Sequence, residues 1–267
     1  MGVDITKTAQ KRQDIVRQGT NLILSIAQFS VTLLPAFGIG IGIGDRAMTS
    51  VPQVQPIYWS FFIWFVLYAG CITYGIYQAL PAQRENANLR RVGPYTASAF
   101  IGVTVYALVA QFGGSDWILI GVFFWIFASL LYAILHLTED KSRLTQIETY
   151  VVFAPISLLT GWVSIAILVN IASALKTSGI IPAGTMETAF SLLMLLIACL
   201  VASSIIRISE GNAWYAFPVI WGLIGVVVAN LWEHPNLVVA GFAAFVGLVL
   251  LGVLVIVRKR TNKKTVS

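Results

Sequence analysis

The sequence has little charge. Of 267 residues, 17 are Lys or Arg and 11 are Asp or Glu. That is 10% of the chain, where a soluble domain carries roughly 25%. So few charges cannot cover a water-soluble fold of this length, which excludes a cytosolic enzyme and a disordered chain. Cysteine is equally scarce. Cys71 and Cys199 cannot staple a secreted disulfide scaffold, and two isolated thiols make no zinc site. Both fall inside apolar stretches, as small packing residues do. Histidine is limited to His136 and His234, too few for a membrane metalloenzyme built on a histidine cluster. No Asp, Glu, Lys or Arg stands at the middle of a long apolar stretch. Ion pumps and proton-coupled carriers place ionisable groups near the midplane. Their absence argues against a proton pump and against a retinal protein with its lysine Schiff base. A Ser/His/Asp arrangement has no support either, because no buried carboxylate is available to orient a histidine. Catalysis is therefore not expected.

Apolar length is what the chain does have. Hydrophobic residues make up 58% of it and mean hydropathy is +0.84. Charges punctuate it into eight uncharged stretches: 18–44, 47–83, 92–115, 117–138, 149–175, 188–206, 211–232 and 234–257. Each holds a mostly apolar run of roughly 20 residues, enough to cross a hydrocarbon core at about 1.5 Å per residue. Backbone polar groups in lipid must pair within the segment, so the spans are predicted to be helical. Leu192–Ile197 is apolar all round and does not alternate, unlike a barrel strand. The expected fold is an all-α integral membrane protein, an eight-transmembrane helix bundle in the lipid bilayer.

The basic residues orient it. With a cytoplasmic N-terminus, all 17 Lys and Arg except Arg46 and Lys176 fall in inner segments, as the positive-inside rule requires. The net charge of +6 is thus a topology signal. Residues 1–17 are predicted as a cytoplasmic N-terminal segment and 258–267 as a basic cytoplasmic tail. That tail, with Arg258, Lys259, Arg260, Lys263 and Lys264, suits anionic headgroups rather than nucleic acid. The first span is too long for a signal-peptide core and no A-x-A site follows it, so it is expected to be retained.

Aromatic residues supply the remaining chemistry: 12% of the chain, with eight Trp. Trp117, Trp214 and Trp232 sit at span ends, where interfacial belts form. Trp64, Trp125, Trp162 and Trp221 lie deeper, where an indole N–H needs a partner or a ligand. The second span is densest, from Tyr58-Trp59-Ser60-Phe61 to Trp64 and Tyr68. Phe61, Trp64 and Tyr68 are spaced by three and four, so they share one helix face. Tyr74 and Tyr77 continue the aromatic character. In the fifth span Trp162, Ala166 and Asn170 recur every four residues and form one stripe. Asn170 needs a hydrogen-bond partner on a facing helix or on a ligand. Both features are read either as helix packing or as a stacking surface for a flat molecule. The run Gly38-Ile39-Gly40-Ile41-Gly42-Ile43-Gly44 follows no strand and is no dinucleotide fingerprint. Its G-x-x-x-G spacings suit close helix packing or a fraying helix end.

Two of these stretches resemble the tryptophan-rich sensory protein family, TspO and the mitochondrial translocator protein (peripheral benzodiazepine receptor). Phe62-Ile63-Trp64-Phe65-Val66-Leu67-Tyr68 is similar to its F-x-P-V-W-x-x-L-Y signature, and Trp162, Ala166 and Asn170 match its W-x-x-x-A-x-x-x-N signature. The resemblance covers residues 18–176, a TspO-like five-helix bundle. Residues 177–257 add three transmembrane helices that short members lack. Phe62 stands where the signature has proline, and Trp125 is a loose counterpart of a family tryptophan. No Tyr follows Asn170 in Ile171–Lys176, which argues against a sterol contact there. In the extension, Phe217-Pro218-Val219-Ile220-Trp221 echoes F-P-V-W with one extra residue.

The resemblance implies a pocket that opens toward the long outer loop and binds a flat hydrophobic ligand of porphyrin type, non-covalently, for sensing or transport. Carried over by residue, the ligand-binding candidates are Trp64, Tyr68, Trp162, Ala166 and Asn170, with Phe61 and Trp59 beside them. A bacterial inner membrane is the expected location and a homodimer is compatible. The alternative is a small-solute transporter or channel without charge coupling. An enzyme acting on a lipid or pigment ranks below it, and an assembly partner for other membrane proteins is a further reading.

Overall fold

The computed structural model describes residues 2–47, 50–139 and 144–266. Among the described residues there is no strand, and eight helices are long and apolar enough to cross a membrane. They are α1 (Gly2–Ser30), α2 (Ile63–Ala79), α3 (Ala87–Gln111), α4 (Asp116–Glu139), α5 (Ala154–Thr177), α6 (Thr185–Ile208), α7 (Ala213–Trp232) and α8 (Leu237–Val266). They match the eight spans expected from the charge punctuation. Lys141 and Arg143, counted as inner charges, lie outside the described residues, as does the side chain of Lys264. With eight crossings both termini lie at one end of the bundle, here called the terminal side; the other end is the far side.

Local chemistry sets the helix boundaries. Asn86 caps α3 by accepting from the N–H groups of Asn88 and Leu89, and Asn212 caps α7 through Tyr215 N–H. α5 is entered through a capping box between Thr145 and Glu148 and then a wide π-turn over Thr149–Phe153. Pro155 follows that turn. It has no N–H to give the carbonyl four residues back, so the ladder loosens there. α1 runs from Gly2, so the polar leader is helical, and within it Asp14 is buried. The glycine run 38–44 is no helix interface: Gly38 and Gly40 have φ of 75° and 77°, and Ile41 N–H bonds to the carbonyl of Gln111 at the end of α3.

The helices pack in the order α2, α1, α3, α4, α5, α7, α8, α6, and α5 also touches α2 and α6. α5 is therefore the spine, with 72% of its apolar window buried against 17% for α1. One of its faces joins a core with α2, α3 and α4 through Trp162, Val163 and Ile167. Another joins a second core with α6, α7 and α8 through Ile165, Val169 and Ala172. Apolar surface alone cannot orient helices that are apolar all round, because lipid tails are equally apolar. Close approach and polar contacts do it instead. A Cβ on Gly161 would fall 2.2 Å from the carbonyl oxygen of Tyr215, so only glycine lets α5 and α7 meet there. Beside it, Asn212 donates to Ser157 at 2.8 Å, and the Ser164 and Tyr215 hydroxyls pair at 3.1 Å.

α1 is joined to α2 and α3 by a buried polar seam. Asp14, Gln18, Asn21, Ser25 and Gln28 recur at spacings of three and four and are all buried. Gln18 and Gln78 donate to each other's backbone carbonyls at 3.0 and 2.8 Å. Thr96 donates to Asn21 at 2.6 Å, and its hydroxyl lies 2.8 Å from that of Tyr74. At the terminal side Arg90 donates twice to Asp14, at 2.8 and 2.5 Å. Arg17 ties the end of α2 by donating to Gln78 and to the carbonyl of Arg84.

Candidate ligand site

Four of the seven candidate residues meet in one aromatic cluster. Trp64 stacks on Tyr68, one helical turn along α2, with ring centroids 5.2 Å apart and planes at 24°. Trp162 of α5 meets Trp64 edge-on at 6.4 Å and Phe61 edge-on at 5.8 Å. Phe61 belongs to the 3-10 turn Tyr58–Phe62 that leads into α2. Offset stacking and edge-on contact are the geometries an aromatic quadrupole favours. Trp162 and Tyr68 are buried, whereas Trp64 and Phe61 keep part of their surface open. The cluster presents flat apolar faces with no charged side chain among its members.

The other three candidates stand apart. Ala166 packs on the same core one turn beyond Trp162. Asn170 satisfies its own helix, donating to the carbonyl of Ala166 at 2.8 Å, and lies beside Tyr106 of α3. Trp59 turns toward the C-terminal helices and meets Trp221 edge-on at 5.1 Å.

The indoles divide in the same way. Trp125 donates to Ser98 at 2.9 Å and Trp221 donates to the carbonyl of Ser60 at 2.9 Å, so both are spent inside the protein. Trp125 is 40% exposed and takes no part in the cluster. Among the described residues no hydrogen bond reaches the indole N–H of Trp64 or Trp162. Those two donors remain available beside aromatic faces, the composition of a site that stacks and orients a flat molecule.

Sequence reasoning missed several residues at this site. Phe29 of α1 lies 5.6 Å from Tyr68, tilted against it. Tyr106 packs on Phe123 at 4.2 Å and reaches Asn170. Gln28 is fully buried beside Cys71, with its carbonyl oxygen unpartnered among the described residues. The three-and-four spacing of Gln18, Asn21, Ser25 and Gln28 was a legible signal for that seam. Phe29 and Tyr106 had none, since nothing in the chain marks them from other aromatics. No group of three or more His, Cys, Asp or Glu suited to a metal ion occurs among the described residues. A separate small crevice lies between α5, α6 and α7, lined by Val54, Ile165, Met194, Leu223 and other apolar residues.

Fold and composition define the class first: an integral membrane protein built wholly of helices, with eight candidate crossings. The sequence then matches the model of a family described as TSPO-like protein over residues 19–257, and the chain belongs to that family. The match runs through α6, α7 and α8, so the three C-terminal helices lie within the family's extent. No curated protein and no solved structure matches the chain.

Proposed function

We propose that this TSPO-like membrane protein binds a flat hydrophobic ligand of porphyrin type, without a covalent link, for sensing or transport. The observation that carries the reading is the Phe61, Trp64, Tyr68 and Trp162 cluster: stacked and edge-on rings, partly open, with two uncommitted indole donors. Stacking supplies most of the affinity for a planar molecule, and a few polar donors orient it. The test is titration of the purified protein with protoporphyrin IX while Trp fluorescence is followed. Saturable quenching is expected, weakened in Trp64→Ala and in Trp162→Ala. Unchanged quenching in both variants removes the cluster as the site.

The terminal side is proposed to be cytoplasmic, because in the sequence all the basic residues other than Arg46 and Lys176 belong to the segments on the N-terminal side of the eight spans. The membrane of residence is proposed to be a bacterial inner membrane.

A further inference from the structure

Residues 50–57 connect the α1 side of the bundle to the turn that opens α2, yet they bond to the C-terminal helices. Ser50 and Val51 offer their carbonyls to the far end of α5, accepting from Ser173 at 3.1 Å and from Lys176 at 2.7 Å. Gln53 is bonded from four directions. Its N–H reaches Glu187 of α6 at 3.3 Å, and its backbone carbonyl accepts from Asn230 of α7 at 2.7 Å. Its side-chain oxygen accepts from Thr188 at 3.0 Å and from Asn236, at the entry to α8, at 3.1 Å. Val54 is buried in the core that α5 to α8 share. Ile57 N–H bonds to the carbonyl of Gly225 at 3.1 Å. A Cβ on Gly225 would fall 2.2 Å from the Ser60 hydroxyl and 2.8 Å from Pro56, so the strap lies directly on the α7 backbone.

This strap runs inside the bundle. Gly225 is seven residues short of the end of α7 at Trp232, about 10 Å in at 1.5 Å per residue. Non-helical backbone survives at membrane depth only where protein buries it and satisfies its polar groups. Here α6, α7 and α8 do both. The strap then delivers Trp59 against Trp221 and Phe61 against Trp162.

We propose that α6, α7 and α8 clamp this re-entrant strap, with Gln53 as its positioning residue. Through it they set the geometry of the aromatic site and the rate at which ligand enters and leaves. The second part rests on the ligand-binding reading above; the clamp itself does not.

The test uses the full chain in lipid nanodiscs, with Cys199→Ser as background. Val54→Cys and Phe61→Cys are introduced separately and their labelling by a small maleimide is timed. Adding Gln53→Leu is expected to speed both reactions about tenfold, the scale of losing a pair of buried hydrogen bonds. Asn230→Ala is the second variant if Gln53→Leu does not fold. Unchanged labelling at both positions overturns the clamp. Faster labelling at position 54 alone overturns its link to the site. A Ser50→Cys/Ser173→Cys pair then locks the strap reversibly. The oxidised protein is expected to exchange protoporphyrin IX at least tenfold more slowly than the same protein after reduction. Equal rates overturn control of exchange. If protoporphyrin IX binds neither form, the proposed ligand fails, while the labelling rates still decide the clamp.

Discussion

Trp162 is 2% exposed and edge-on to both Phe61 and Trp64, so its replacement acts on packing as well as on any ligand. Trp162→Ala is expected to cost about 3–5 kcal/mol of stability, the range for emptying a buried aromatic site, read as a lower thermal midpoint in detergent. Trp64 is only partly buried, and Trp64→Ala should lower the midpoint less than Trp162→Ala does. Protoporphyrin IX affinity should fall about three- to tenfold in that variant, one aromatic contact's worth. An equal loss of stability in both variants would mean that Trp64 is a packing residue. Asn170 shows how far a single residue can be read. Its polarity within an apolar run marked it as needing a partner. The chain alone could not say that the partner is the Ala166 carbonyl one turn back, nor that Tyr106, two helices away, lies beside it. The first follows from helix geometry; the second exists only because α3 and α5 are brought together.

α1 and α5 are joined to their neighbours by different means. α1 uses polar complementarity, and Asn21 is its centre, accepting from Thr96 and donating to the carbonyl of Gly93. Asn21→Leu removes one of several partners from that carbonyl and from the Thr96 hydroxyl, so about 1 kcal/mol of loss is expected in a reversible unfolding titration. α5 uses close approach. Gly161→Ala pushes a methyl group against the Tyr215 carbonyl, which is backbone and cannot swing aside. A loss of about 1–3 kcal/mol is expected, and Gly161→Leu should prevent stable α5–α7 packing, seen as aggregation on size exclusion. The helices themselves were legible from charge spacing. The π-turn before Pro155 and the burial of Asp14 were not, because each depends on what lies opposite, and of the seam only the spacing of its polar residues was.

Across the whole molecule the distribution of basic residues makes one prediction. Asn262→Cys and Ser178→Cys, in a Cys199→Ser background, should be labelled from opposite faces of oriented vesicles, position 262 from the cytoplasmic face. Labelling of both from one face would contradict the eight-span topology. The two-part appearance of the chain, a five-helix unit followed by three further helices, also changes at this scale. α5 belongs to both cores, and the path between α1 and α2 runs through the far ends of α6, α7 and α8. Trp221 illustrates the consequence. Its Phe217–Trp221 surroundings read in the chain as an echo of a motif, but its indole anchors Ser60 and its ring meets Trp59.

The number of crossings, their helical nature and the segregation of basic residues follow from sequence alone. Each depends on lengths and charges that the bilayer tests one segment at a time. So does the sharing of one face by Phe61, Trp64 and Tyr68, since helical period is a local property. Which helix meets that face was decided by tertiary structure. Apolar surface gives no direction inside lipid, and glycine contacts, polar seams and the clamped strap supply it instead. For that reason Trp162 joins the cluster, Trp59 turns to Trp221, and Asn170 closes on its own helix beside Tyr106.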